Sequence, residues 1–126
     1  MGIVHSDQVK SYEYDQGVWV RKLAVPETGT KSISVGIATF DPGASLPCHF
    51  HNCEESITIV EGEAIVEVGG ERISMKPYDT SHMVEGVPHR FINASKTKKM
   101  SILWVYASND MGRILVEPED CSEEAE

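Results

Sequence analysis

The stretch Gly43–Gly62, GASLPCHFHNCEESITIVEG, decides how this chain is read. It sets His49 and His51 one residue apart and puts Glu55 four positions after the second histidine. Alternate side chains of an extended strand share a face, so His49 and His51 point one way while Cys48 and Phe50 point the other. Downstream, the segment GVPHRFIN carries His89, at a separation that a neighbouring strand of a closed sheet would bring back beside the first pair. Three imidazoles and a carboxylate suit a first-row divalent cation.

Outward from this stretch, strand signals dominate. Residues 17–25, 32–40, 56–60, 63–68, 71–75, 89–94 and 100–107 are short runs rich in β-branched or aromatic residues, and many alternate. Gly69-Gly70 and Glu61-Gly62 read as turns between consecutive runs, with Pro42-Gly43 and residues 93–97 punctuating the rest. No segment keeps a helical period over a useful length. Many short strands predict an all-β sandwich or barrel whose small interior has room for one ligand.

The 126 residues fit one domain, placed at 1–115, and residues 116–126 read as an acidic, disordered tail. Glu117 to Glu126 alone contributes six acids and no base, so much of the formal net charge of -9 is local. An acidic chain without a basic face is not expected to bind nucleic acid, and no apolar run is long enough to span a membrane. Cys48, Cys53 and Cys121 are odd in number and irregularly spaced. That pattern argues against a disulfide framework and, with an N-terminus lacking a secretory apolar block, predicts a cytoplasmic protein.

Taken together, the two histidine segments resemble the cupin superfamily. Its first motif, G-x5-H-x-H-x3,4-E-x6-G, is met by Gly43, His49, His51, Glu55 and Gly62. The second, G-x5-P-x-G-x2-H-x3-N, is met at Gly86, His89 and Asn93, whereas Tyr78 stands at its first glycine and Val84 at its proline. The likeness covers about residues 30–107 and implies a double-stranded β-helix, a jelly-roll barrel. It also implies that His49, His51, Glu55 and His89 hold one divalent metal ion per chain, with Glu54 left as an exposed acid. Iron or manganese leads by analogy; Ni, Zn, Co and Cu accept the same ligands.

Other residues carry weaker signals. Arg21, His82, Trp104 and Tyr106 are the pocket candidates: an arginine fixes a carboxylate, an aromatic stacks on a planar ring, and a histidine can orient a ligand. His82 reads more plainly as solvent-facing. Arg90 directly follows His89 and should point outward, Phe40 and Phe91 read as barrel core, and Cys48 as a small apolar filler.

The function expected from these features is a metal-dependent enzyme. Its substrate is a small polar, metal-chelating metabolite such as a sugar acid, diketone or aromatic acid, and its reaction that of a dioxygenase or an isomerase or lyase. The alternative is a non-catalytic module that binds or senses a small molecule. Exposed strand edges in Tyr12 to Val25 predict a homodimer.

Overall fold

Alternation along Ser34–Phe40 is the simplest guide to the architecture: Ser34, Gly36, Ala38 and Phe40 are buried while the residues between them are half-exposed. The computed structural model describes residues 2–110 and 112–121. Its strands are β1 (Tyr12–Asp15), β2 (Val18–Ala24), β3 (Ser34–Phe40), β4 (His49–Phe50), β5 (Glu55–Glu61), β6 (Ala64–Val68), β7 (Glu71–Met75), β8 (Thr80–Met83), β9 (His89–Asn93), β10 (Met100–Tyr106) and β11 (Ile114–Leu115). Three short 3-10 turns complete the regular structure, with no α-helix among the described residues. None of the described helices is long and apolar enough to cross a membrane.

The strands form two antiparallel sheets, one ordered β1-β2-β3-β10-β5-β8 and the other β11-β4-β9-β6-β7. Their inner faces enclose Val18, Phe40, Ile59, Phe91, Met100 and Ile102, all essentially without solvent contact. Each such side chain contributes roughly 1.5–3 kcal/mol relative to exposure. This is the jelly-roll arrangement expected from the sequence, and Phe40 and Phe91 sit in its core.

Local chemistry fixes the register. Gly69 and Gly70 have φ of +60° and +80°, the paired left-handed conformations of a tight turn that lets β6 return directly as β7. Asn93 ties one end of the barrel together: its side-chain amide donates to the carbonyls of Phe40, Asp41 and Lys98, and its Oδ1 accepts from the Ser95 N–H. On the outer face of the second sheet, Glu67 is buried beneath Arg72 and Arg90, its cross-strand neighbours on β7 and β9. Arg90 therefore points outward as expected.

Tyr78, at the first glycine of the second motif, has φ of +74°. The backbone keeps the glycine-type conformation although a tyrosine occupies it, and the ring projects into solvent.

The cysteines depart from expectation. Cys48 and Cys121 form a buried disulfide across 73 residues of sequence, leaving Cys53 as the free thiol. An odd count left one cysteine over and did not preclude one bridge, and spacing cannot reveal a contact made by the fold. Since disulfides persist chiefly in oxidising compartments, the cysteine pattern no longer argues for a reducing one. The bridge also bears on the tail: residues 117–121 carry a 3-10 turn at Pro118–Asp120 that ends on buried Cys121, while 122–126 lie outside the described residues.

Candidate metal centre and cavity

His49 and His89 face each other as cross-strand partners on β4 and β9, and His51 follows two residues after His49. Glu55 opens β5 in the opposite sheet. All four are buried. One ring nitrogen from each histidine lies within 4.8 Å of the others, and Glu55 stands beside two of the three, its oxygens 3.3 Å from His51 Nε2 and 2.9 Å from His89 Nε2.

The far side of each ring settles its tautomer. His49 Nδ1 donates to the Pro47 carbonyl at 2.7 Å, His51 Nδ1 to the Gly112 carbonyl at 2.9 Å, and His89 Nδ1 to the Val87 carbonyl at 2.8 Å. A carbonyl only accepts, so each neutral ring carries its proton on Nδ1 and presents the lone pair of Nε2 to the common point. His51 Nε2, His89 Nε2 and both Glu55 oxygens are buried and form no hydrogen bond. Lone pairs and a carboxylate converging in a dry pocket demand positive charge between them. A divalent cation meets that demand, and backbone acceptors behind each imidazole are the usual supports of metal-binding histidines.

Electrostatics follow the same logic. Burial, followed by the His89 imidazole, drives His49 down to about 4. Burial alone would raise Glu55, but its approach to His51 and His89 outweighs it and brings the carboxyl to about 2. His51 also resists burial because Glu55 faces it, and its pKa rises. A proton on His51 is thus the substitute for a cation.

A cavity of about 280 Å³ adjoins the cluster. His49 and Glu55 reach it at one end; Val18, Val20, Ala38, Leu46, Ile57 and Ile102 form apolar walls. Trp104 and Tyr106 line it together, because they share one phase of β10. Their rings stack at 5.1 Å, and Tyr106 continues onto His51 at 4.5 Å. The Tyr106 phenol is pushed well above its ordinary value by burial and by the Glu55 charge, so it stays protonated.

Trp104 lies over Gly36, its cross-strand partner on β3. A Cβ on Gly36 would fall 2.1 Å from the Trp104 ring and 2.6 Å from the Arg21 carbonyl, so only glycine admits the indole there.

Of the other pocket candidates, Arg21 and His82 lie elsewhere. The inward phase of β2 runs through Val18, Val20 and Lys22, which line the cavity, leaving Arg21 on the opposite face. His82 sits on the surface, its Nε2 2.6 Å from Glu54, and both side chains are exposed. Glu54 is thus the exposed acid that was expected.

Several residues of the site escaped the sequence reading. Tyr12, Tyr14 and Lys22 line the cavity from β1 and β2, and Gly112 supplies the acceptor behind His51. The apolar phase of Val18 and Val20 was the available signal for Lys22. Gly112 is held through its neighbour Arg113, which makes a two-pronged ion pair with Asp15 at 2.8 and 2.7 Å and lies 4.4 Å above the Tyr14 ring. β11 then pairs with β4, Leu115 opposite His49. This C-terminal segment forms a strap across the histidine cluster, and the Cys48–Cys121 bridge anchors its end.

Comparison with known proteins gives two levels of likeness. The family model described as "Cupin domain" matches residues 36–106. Among curated proteins, "Auxin-binding protein T85" of Nicotiana tabacum is 26% identical over 87 residues, covering 61% of this chain and 46% of that protein. "Auxin-binding protein 4" of Zea mays is 26% identical over 84 residues, covering 60% and 41%. The chain thus matches less than half the length of these relatives. Among solved structures, the polyketide cyclase RemF from Streptomyces resistomycificus superposes with a TM-score of 0.83 at 22% identity, covering 98% of this chain and 91% of that one. KdgF from Halomonas sp. gives 0.74 at 19% identity, with coverages of 87% and 96%. At these identities the likeness speaks for the fold.

Proposed function

This chain belongs to the cupin family, and from that premise we propose that it is a metal-dependent enzyme acting on a small, flat, oxygen-rich metabolite bound in the cavity beside His49, His51, Glu55 and His89. The observation that carries the reading is the convergence of three imidazole lone pairs and an unpartnered carboxylate at the end of an apolar cavity. Iron or manganese is the favoured ion, one per chain, with Ni, Zn, Co and Cu compatible with the same donors. When bound, such an ion polarises a carbonyl or enol oxygen and leaves room for a chelating ligand.

The chain's own residues supply the rest. Val20, Ala38, Ile57 and Ile102 exclude water. Trp104 offers a face on which a ring stacks. Tyr106, protonated and at the cavity wall beside Glu55, donates a hydrogen bond to a substrate oxygen and stabilises the negative charge that oxygen gains. Apolar and aromatic walls favour an aromatic acid or diketone over a sugar acid, which would leave hydroxyls without partners. A resident hydrogen-bond donor favours the isomerase or lyase branch over the dioxygenase branch.

The tobacco and maize relatives, both auxin-binding proteins, support a second reading, in which the cavity binds a ligand without converting it. Two measurements decide among these. Elemental analysis of protein purified without a histidine tag should find one divalent ion per chain, and His51→Ala should lose most of it while the barrel stays folded; retention of a full complement by that variant would sink the metal assignment. Turnover of enolisable aromatic acids and diketones should then persist without oxygen. Turnover that stops anaerobically assigns the dioxygenase branch, and saturable binding with no turnover assigns the binding module.

We also propose that two copies pair as a homodimer over the outer face of the six-stranded sheet. Val35, Ile37, Leu103 and Val105 give that face an apolar stripe beside exposed Trp19, and Arg21 Nε is buried there without a partner among the described residues. Light scattering should give twice the chain mass. Cytoplasmic residence, which the sequence suggests, requires Cys48 and Cys121 to be kept reduced in the cell, so both should label as free thiols in denatured, acid-quenched extracts; resistance to labelling would place the protein in an oxidising compartment.

A further inference from the structure

Strand register arranges the cavity wall in ordered rows. Glu55, Tyr106 and Ser34 are cross-strand neighbours, and the next inward row runs Ile57, Trp104, Gly36, Lys22. Because Gly36 has no side chain, the indole of Trp104 spreads over it toward Lys22. Among the described residues, Glu55 is the only carboxylate lining the cavity, and Lys22 is the only lysine or arginine. Its ammonium lies 5.5 Å from the centroid of the Tyr12 ring, which holds it at the rim. No carboxylate is hydrogen-bonded to it among the described residues, unlike Arg113, Arg72 and Arg90, which are all engaged by acids.

We propose that Lys22 is a specificity-determining residue that captures the anionic group of the substrate, and that the substrate is therefore a planar aromatic acid, bound with its ring on Trp104, its chelating oxygens at the histidine cluster and its carboxylate at Lys22. The proposal deepens the reading of this cavity as the substrate site. Lys22 and Glu55 lie three strand spacings and one inward row apart, roughly 16 Å along the curved sheet, and their side chains project inward, so a mono- or bicyclic ring system with substituents at both ends bridges them. The volume of about 280 Å³ lies just below the roughly 300–1,000 Å³ usual for ligand cavities and suits that size. A neutral ring would stack equally well but leave the ammonium unanswered. A charge-assisted hydrogen bond to it is short and strong.

The test compares naphthoate with naphthamide, which match in shape and differ in charge, by calorimetric titration against protein as purified and after chelation of its metal. Wild type should prefer the acid by about tenfold, Lys22→Arg should keep that preference, and Lys22→Met should erase it by weakening the acid more than the amide. The preference should survive chelation. If the acid is not preferred, or if Lys22→Met still prefers it, the assignment of Lys22 is overturned. A preference lost on chelation but kept in Lys22→Met would give the carboxylate to the metal, refuting Lys22 and leaving the metal centre standing. A Lys22-dependent preference in protein that never carries metal would do the reverse.

Discussion

The indole of Trp104 occupies the place a side chain on Gly36 would take. Gly36→Ala puts a methyl group 2.1 Å from that ring and 2.6 Å from backbone, and backbone cannot give way. The variant should lose roughly 1–3 kcal/mol of stability. Binding of aromatic probes should fall more steeply than stability, because the stacking face is displaced. Calorimetry on folded protein checks this, and unchanged probe affinity would show that Trp104 does not form the ligand's seat.

Arg113 lies outside the cluster but holds the strap whose Gly112 carbonyl orients His51. Arg113→Ala should therefore weaken metal affinity by about 10- to 100-fold, as loss of supporting contacts behind metal-binding histidines typically does. A competition titration with a fluorescent chelator measures it. Equal affinity in variant and wild type would mean that β11 and the disulfide fix Gly112 unaided.

Tyr78 is exposed and holds a left-handed backbone that costs an L-residue about 1–2 kcal/mol. Tyr78→Gly removes the cost but gives the unfolded chain more freedom, so a net gain of roughly 0.5–1 kcal/mol is expected. Urea denaturation should show a higher midpoint with an unchanged slope. A lower midpoint would mean that the tyrosine makes a compensating contact.

Acid should destabilise the metal-free protein. His49 falls from 6.5 to about 4 on folding, and Glu55 from 4.5 to about 2, so in both cases the unfolded chain binds more protons. Stability is then lost as pH drops below 6.5, more steeply below 4.5, until both groups are protonated in the native state as well. His51 acts oppositely: its raised pKa adds stability that is full below 6.5 and vanishes as pH climbs through the folded value. Denaturation midpoints should thus peak near 6.5, and metal, which replaces the His51 proton, should abolish the alkaline decline. A metal-free protein that grows more stable as pH rises above 6.5 would contradict this account of the cluster.

How much of this was written in the residues varies with distance along the chain. The alternation of His49 and His51 and the runs of β-branched residues were local signals, and the second motif located His89 relative to Gly86 and Asn93. The cavity wall was partly legible: Trp104 and Tyr106 share a strand phase, and Val18 and Val20 mark the inward phase that excludes Arg21 and admits Lys22. β11 is two residues long and carries no periodicity, so its pairing with β4 arises only from the closed barrel. The Cys48–Cys121 bridge and the Gly112 acceptor depend on the same closure. Each joins partners more than sixty residues apart, where spacing carries no information.

The hydrogen bond from His51 to Gly112 also imposes an order of events during synthesis. All four proposed ligands leave the ribosome before the carbonyl that aims His51, so a nascent chain stopped at β10 has its donors but not the support that directs them. Ion uptake with full affinity is then a late step, completed after the C-terminal strap has folded back, and a shortened translation product would be a barrel that fills poorly.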